Sequence, residues 1–112
     1  MTEYFTEIWG GKAKINELTK GAKTLTETRI KACRIAKMNP GLSVVIYSTD
    51  VGFKSPIEEI TFEDNTRLIT GTVLSGYYLH QWSSSNKNTR VYRVSPKTGR
   101  LLNYDKYWKY LS

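Results

Sequence analysis

The stretch RVYRVSPKTGRLLNYDKYWKYLS, from Arg90 to Ser112, interleaves arginines and lysines with tyrosines and a tryptophan. Two kinds of chemistry follow from those residue types. Guanidinium and ammonium groups neutralise phosphates, which makes an affinity fall with salt, and aromatic faces stack on single-stranded bases. Arg90, Arg93, Lys97 and Arg100 fall on one short hairpin, where the turn sets the two strands side by side, and Lys106 and Lys109 follow shortly after. Tyr92 stands among them, with Tyr77 and Tyr78 as further stacking candidates. Lys31 and Arg34, on the margin of an expected helix, complete the candidate nucleic-acid-binding set. The competing explanation is that alternating cations only solubilise the open face of an antiparallel sheet.

Catalysis has fewer candidates. His80 is the single histidine, and on an extended strand it shares a face with Tyr78 and Trp82. A small ribonuclease can use such a histidine as acid or base beside cations that hold phosphate, yet a lone histidine between aromatics more often only packs or faces solvent. Cys33 sits inside an expected helix, where a thiol acts as a small hydrophobe, and no G-x-S-x-G elbow occurs. One cysteine forms no intramolecular disulfide, and with His80 it offers too few soft ligands for a structural zinc site. No cofactor motif is present: WGGKAK lacks the spacing of a phosphate-binding loop and reads as a turn. Glu58-Glu59 and Glu63-Asp64 are acidic pairs whose expected place is the solvated surface.

The formal net charge is +7, unevenly spread. Residues 12–37 carry eight cations against Glu17 and Glu27, and residues 87–109 carry seven against Asp105, so each block is net +6. Between them, over residues 50–64, Asp50, Glu58, Glu59, Glu63 and Asp64 oppose Lys54, a segment of net −4 that Arg67 follows. A polyanion is attracted if the basic blocks share a face, whereas an acidic segment lying between them cancels the field.

At 112 residues the chain is long enough for one core and too short for two. The N-terminus shows no basic stretch followed by an apolar run, and no apolar segment approaches the roughly 20 residues that span a bilayer. A soluble, cytoplasmic protein is the expectation. EYFTEIW reads as a strand stopped by Gly10-Gly11, and residues 12–20 suit either a short helix or the second strand of a hairpin. Thr24 with Glu27 matches a capping box, and Asn39-Pro40-Gly41 a stop, so a helix is expected from about 26 to 38. Leu25, Ala32, Cys33 and Ala36 gather on its apolar side with Ile30 and Ile35, pushing Arg29, Lys31, Arg34 and Lys37 to the margins.

LSVVIYST at 42–49 has the continuous β-branched character of a central strand buried on both faces. The stretch from Pro56 to Trp82 reads as a hairpin turning at Asp64-Asn65, with Gly71 and Gly76 allowing bulges in a long second strand. A last hairpin pairs 90–94 with 100–104 around SPKTGR. Tyr104, Tyr107, Trp108 and Leu111 then recur at i, i+3, i+4 and i+7, the spacing of a short aromatic helix packed on the sheet.

These elements predict a single α+β domain over residues 1–112: a mostly antiparallel sheet of five or six strands on one main helix, with the short C-terminal helix. The expected function is nucleic-acid binding, to DNA or RNA, by an accessory protein that contacts phosphates through the last hairpin and the helix margin. The alternative is an inhibitor or adaptor of the kind encoded by phages or other mobile elements, docking on an acidic host protein. A ribonuclease using His80 is a second alternative.

Overall fold

A computed structural model describes residues 2–10, 13–14, 18–50, 52–64, 68–69, 72–73, 75–82 and 91–104. In chain order the elements are β1 (Tyr4–Gly10), β2 (Ala13–Lys14), β3 (Thr19–Lys20), α1 (Leu25–Met38), β4 (Ser43–Ser48), β5 (Ser55–Glu63), β6 (Leu68–Ile69), β7 (Thr72–Val73), β8 (Gly76–Gln81), β9 (Val91–Val94) and β10 (Leu101–Tyr104). All but β6 and β7 belong to one antiparallel sheet, ordered β10-β9-β8-β5-β4-β1-β2, with β3 also on β1. The helix packs on one face, giving a single α+β domain.

Six of these strands are the ones the sequence marks. The others come from residues 12–20, where β2 and β3 line the free edge of β1: Trp9 pairs with Lys14, and Phe5 with Lys20. The hairpin option for that stretch is therefore the one realised at both pieces.

Alternation along the strands divides the sheet's faces. One transverse row, Ile8, Val44, Ile60, Leu79 and Tyr92, lies on the helix side. Ala32, Cys33 and Ala36 of α1 meet Val44, Ile46, Ile60, Leu79 and Val94 in the core. Each fully buried Val, Leu or Ile there contributes about 1.5–3 kcal/mol. The next row, Glu7, Val45, Glu59, His80 and Val91, lies on the opposite face. Val44, Val45 and Ile46 are all buried, so β4 is covered on both faces as its β-branched run requires.

The helix begins where Thr24 accepts the N–H of Glu27 on its hydroxyl, 3.2 Å away. It ends at Asn39, whose backbone N–H reaches the Ala36 carbonyl and whose side chain reaches that of Ile35. Gly41, with φ at 82°, then lets the chain turn back into β4.

Three expectations change. The turn at Asp64-Asn65 is not where β5 finds its partner: Glu63 pairs with Gly76, and β6 and β7 form a separate two-stranded ladder between them. Gly76, with φ at 137°, starts β8 and leaves room for the Arg93 guanidinium, which would lie 2.7 Å from a Cβ there. The stretch that reads as one long strand is thus divided, β8 starting only at Gly76. Tyr104 belongs to β10, so it does not open a helix; Tyr107, Trp108 and Leu111 lie outside the described residues.

The third change concerns Glu58 and Arg29, expected on the solvated surface and at the helix margin. Both are buried, at 4% and 9% exposure. Arg29 Nε donates to Glu58 Oε1 at 2.8 Å, Nη2 to Oε2 at 2.6 Å, and Nη1 to the Gly99 carbonyl at 3.2 Å. A fork-to-fork pair with a third acceptor satisfies charges that burial would otherwise penalise heavily. It ties α1 to β5 and to the β9–β10 turn at once.

Candidate nucleic-acid interface

The β9–β10 turn is built by Ser95. Its hydroxyl accepts the N–H groups of Lys97 and Thr98, both at 3.3 Å, its carbonyl accepts the Gly99 N–H, and its own N–H reaches the Arg100 carbonyl. Gly99, with φ at 69°, brings the turn against the helix, where an added Cβ would lie 2.1 Å from the Thr26 carbonyl oxygen. Lys97 and Arg100 are exposed on this fixed turn.

The opposite flank of α1 faces β3. Thr26 and Thr28 are two residues apart, roughly 200° around the helix axis, so contacts at Thr26 and at Thr28 belong to different flanks. The Thr28 hydroxyl accepts the Ala22 N–H and donates to the Thr24 carbonyl, while Lys31 Nζ donates to the Lys20 carbonyl at 2.6 Å. Lys20, Lys23 and Arg34 are exposed there and Lys31 is half-buried. A band of cations therefore crosses the helix side of the molecule, from Lys97 and Arg100 past Arg34 and Lys31 to Lys20 and Lys23. No ion pair among the described residues engages these six side chains.

Glu58 is spent on Arg29 and Glu59 points to the other face, while exposed Glu3 and Asp50 stand near the β3 end of the band. Glu27 is the exposed acid on the helix itself. Burial and the proximity of Asp64 push the Glu63 carboxyl above its ordinary range.

The other candidates are placed differently. Tyr92 is half-buried in the helix-side row. Arg93 is on the far face, its guanidinium 4.4 Å from the Tyr78 ring centroid and its Nη1 donating to the Ser75 carbonyl at 2.8 Å, so it serves packing. Tyr78 beneath it is 1% exposed and Tyr77 packs against the core beside Phe62, so neither presents an open stacking face. Arg90, Lys106 and Lys109 lie outside the described residues. Lys20 and Lys23 were not among the candidates, because their partnership with the helix margin depends on β3 forming.

His80 also lies on the far face, its Nδ1 3.4 Å from Glu59 Oε1. In the same transverse row Glu7 is buried, and its Oε1 accepts both Trp9 Nε1 and the Tyr47 hydroxyl at 2.7 Å. Burial and the Glu7 carboxylate push the Tyr47 phenol up to about 12, and burial alone pushes the Cys33 thiol to about 12. A thiol so held is neither nucleophile nor metal ligand at neutral pH. Both groups keep their protons in the folded chain at a pH where the unfolded chain releases them. Stability should thus be full below about pH 9 and decline as pH rises towards 12. Thermal melts across that range check this, and Tyr47→Phe should make the decline shallower.

Among the described residues no cluster of histidine, cysteine and carboxylates could hold a metal ion, and no helix is long and apolar enough to cross a membrane. Compared with protein-family models, with curated proteins and with solved structures, the chain matches none.

Proposed function

We propose that this protein binds nucleic acid through the cationic band on the helix side, with Lys97 and Arg100 at one end, Lys20 and Lys23 at the other, and Lys31 and Arg34 between them. The observation that carries the reading is the docking of the β9–β10 turn onto α1 through Gly99 and Arg29, which puts cations from both basic blocks of the sequence on one side. Of the acidic segment between those blocks, Glu58 is buried against Arg29 and Glu59 lies on the far face. A sequence isoelectric point near 9.6 is consistent with a polyanionic partner. Because Ser95 and Gly99 fix the turn, its cations meet phosphates with little ordering cost.

The site is tested by charge reversal. At about 50 mM salt, Lys97→Glu/Arg100→Glu and Lys31→Glu/Arg34→Glu should each lower affinity for labelled nucleic acid by roughly tenfold or more. His80→Ala should leave affinity unchanged. Arg93→Glu is a poor probe, because it would disturb Tyr78 and the start of β8 rather than a phosphate contact. If both double reversals bind like the parent chain, the cations are solvated surface and the proposal fails.

A further inference from the structure

We infer that the groove between the start of β1 and residues 20–23, which continues along the exposed side of α1, holds a single-stranded segment of nucleic acid. This rests on the proposed nucleic-acid binding and adds to it a site and a substrate class. The groove encloses about 600 Å³ and is lined by Thr2, Glu3, Tyr4 and residues 20–23. It shares Ala22 with a second, smaller groove of about 330 Å³, along Glu27, Ile30, Lys31 and Arg34. Volumes of this size are those of ligand sites.

The wall is preformed. Gly21 donates to the Tyr4 carbonyl at 2.7 Å, Ala22 to the Thr28 hydroxyl at 3.1 Å, and Lys31 to the Lys20 carbonyl at 2.6 Å. Gly21 is required by this packing, since a Cβ there would sit 2.9 Å from the Thr28 methyl and 3.0 Å from the Tyr4 carbonyl oxygen. A groove held in shape before binding loses little entropy when it is filled.

Its charge and polarity select the occupant. Lys20 and Lys23 stand on one lip, with Lys31 and Arg34 along the second groove, so phosphates are attracted there. Glu3 stands at the other end, where Thr2 holds Asp50 at 3.0 Å. That end repels phosphate and offers acceptors to the amino groups of bases. Tyr4 and Ala22 in the first groove and Ile30 in the second supply apolar surface. A strand whose backbone follows the lysines and whose base turns inward fits this arrangement. A duplex does not, because its bases are paired and stacked inside a rod too broad to enter so small a concavity.

The test uses oligonucleotides of roughly 16 nucleotides, single-stranded and as the matching duplex, with fluorescence anisotropy as readout. Ala22→Leu fills the groove without changing charge, and Lys20→Glu/Lys23→Glu reverses one lip without filling it; thermal melts establish that each is folded. Both variants should weaken single-strand binding by about tenfold; Ala22→Leu should leave duplex binding within about twofold of the parent, and Lys20→Glu/Lys23→Glu should weaken duplex binding less than single-strand binding. Unchanged single-strand affinity in both, alongside its loss in Lys97→Glu/Arg100→Glu, would overturn the groove while leaving the proposed function standing. Equal losses on duplex would overturn the single-strand preference. Failure of the parent chain to bind either form at low salt would overturn both readings.

Discussion

Glu58→Ala should destabilise the fold by about 3–5 kcal/mol, because it leaves the Arg29 guanidinium buried without its carboxylate. The pair is 11% and 6% exposed at the side chains, so water cannot replace the lost partner cheaply. Arg29→Ala should cost a similar amount for the mirrored reason, with lost packing of the arginine stem added. The double variant Arg29→Met/Glu58→Leu should recover most of either loss, since apolar groups of similar volume remove the desolvation cost along with the attraction. Urea unfolding of the four proteins closes the cycle. A loss below about 1 kcal/mol in Glu58→Ala would place the pair among exposed ion pairs and remove its role in docking the β9–β10 turn.

Gly99→Ala should cost on the order of 3 kcal/mol, from two sources that act together. The backbone there is at φ 69°, a conformation L side chains adopt at a penalty of roughly 1–2 kcal/mol. The added Cβ would also meet the Thr26 carbonyl oxygen at 2.1 Å, a distance no contact tolerates. Relief requires the turn to lift from the helix, which stretches the Arg29 bond to the Gly99 carbonyl. Overpacking of this kind typically costs about 1–3 kcal/mol. Because the same movement separates Lys97 and Arg100 from the rest of the cationic band, affinity for nucleic acid should fall in the protein that remains folded. A near-neutral melting temperature would mean that the turn is free to reposition, and that the two basic blocks are not held together.

Much of the architecture was legible in local patterns. Thr24, Asn39 and Gly41 delimit the helix, β-branched residues mark β4, and Ser95 to Arg100 mark the last turn. What escaped was long-range. Glu58 and Glu59 look like one solvated pair, yet adjacent strand residues point to opposite faces, and Glu58 shares its face with the core residue Ile60. Arg29 likewise stands four residues from Cys33 and seven from Ala36, on the buried side of its helix. Two charges, each on an apolar face, are a pair in waiting, but only the tertiary contact says that they meet. The break between β5 and β8 escaped because Gly71 and Gly76 read equally as bulges within one strand.

The candidate site was legible in part. Lys31, Arg34, Lys97 and Arg100 stand exposed or half-exposed on the helix side, whereas Arg93 is drawn off to Tyr78 by a contact across neighbouring strands. Nothing in the local sequence around Arg93 separates it from Arg100. Lys20 and Lys23 join the band because β3 pairs with β1 and Lys31 reaches across to it, neither of which composition can show.

The central claim is that cations from both ends of the chain act together on one polyanion, and the salt dependence of binding tests it most directly. With four to six phosphates neutralised by the band, affinity for single-stranded nucleic acid should fall roughly 50- to 300-fold between about 50 and 200 mM salt. In Lys97→Glu/Arg100→Glu the slope should be shallower by about two phosphates' worth. An affinity indifferent to salt, or a slope that the double reversal leaves unaltered, would contradict it.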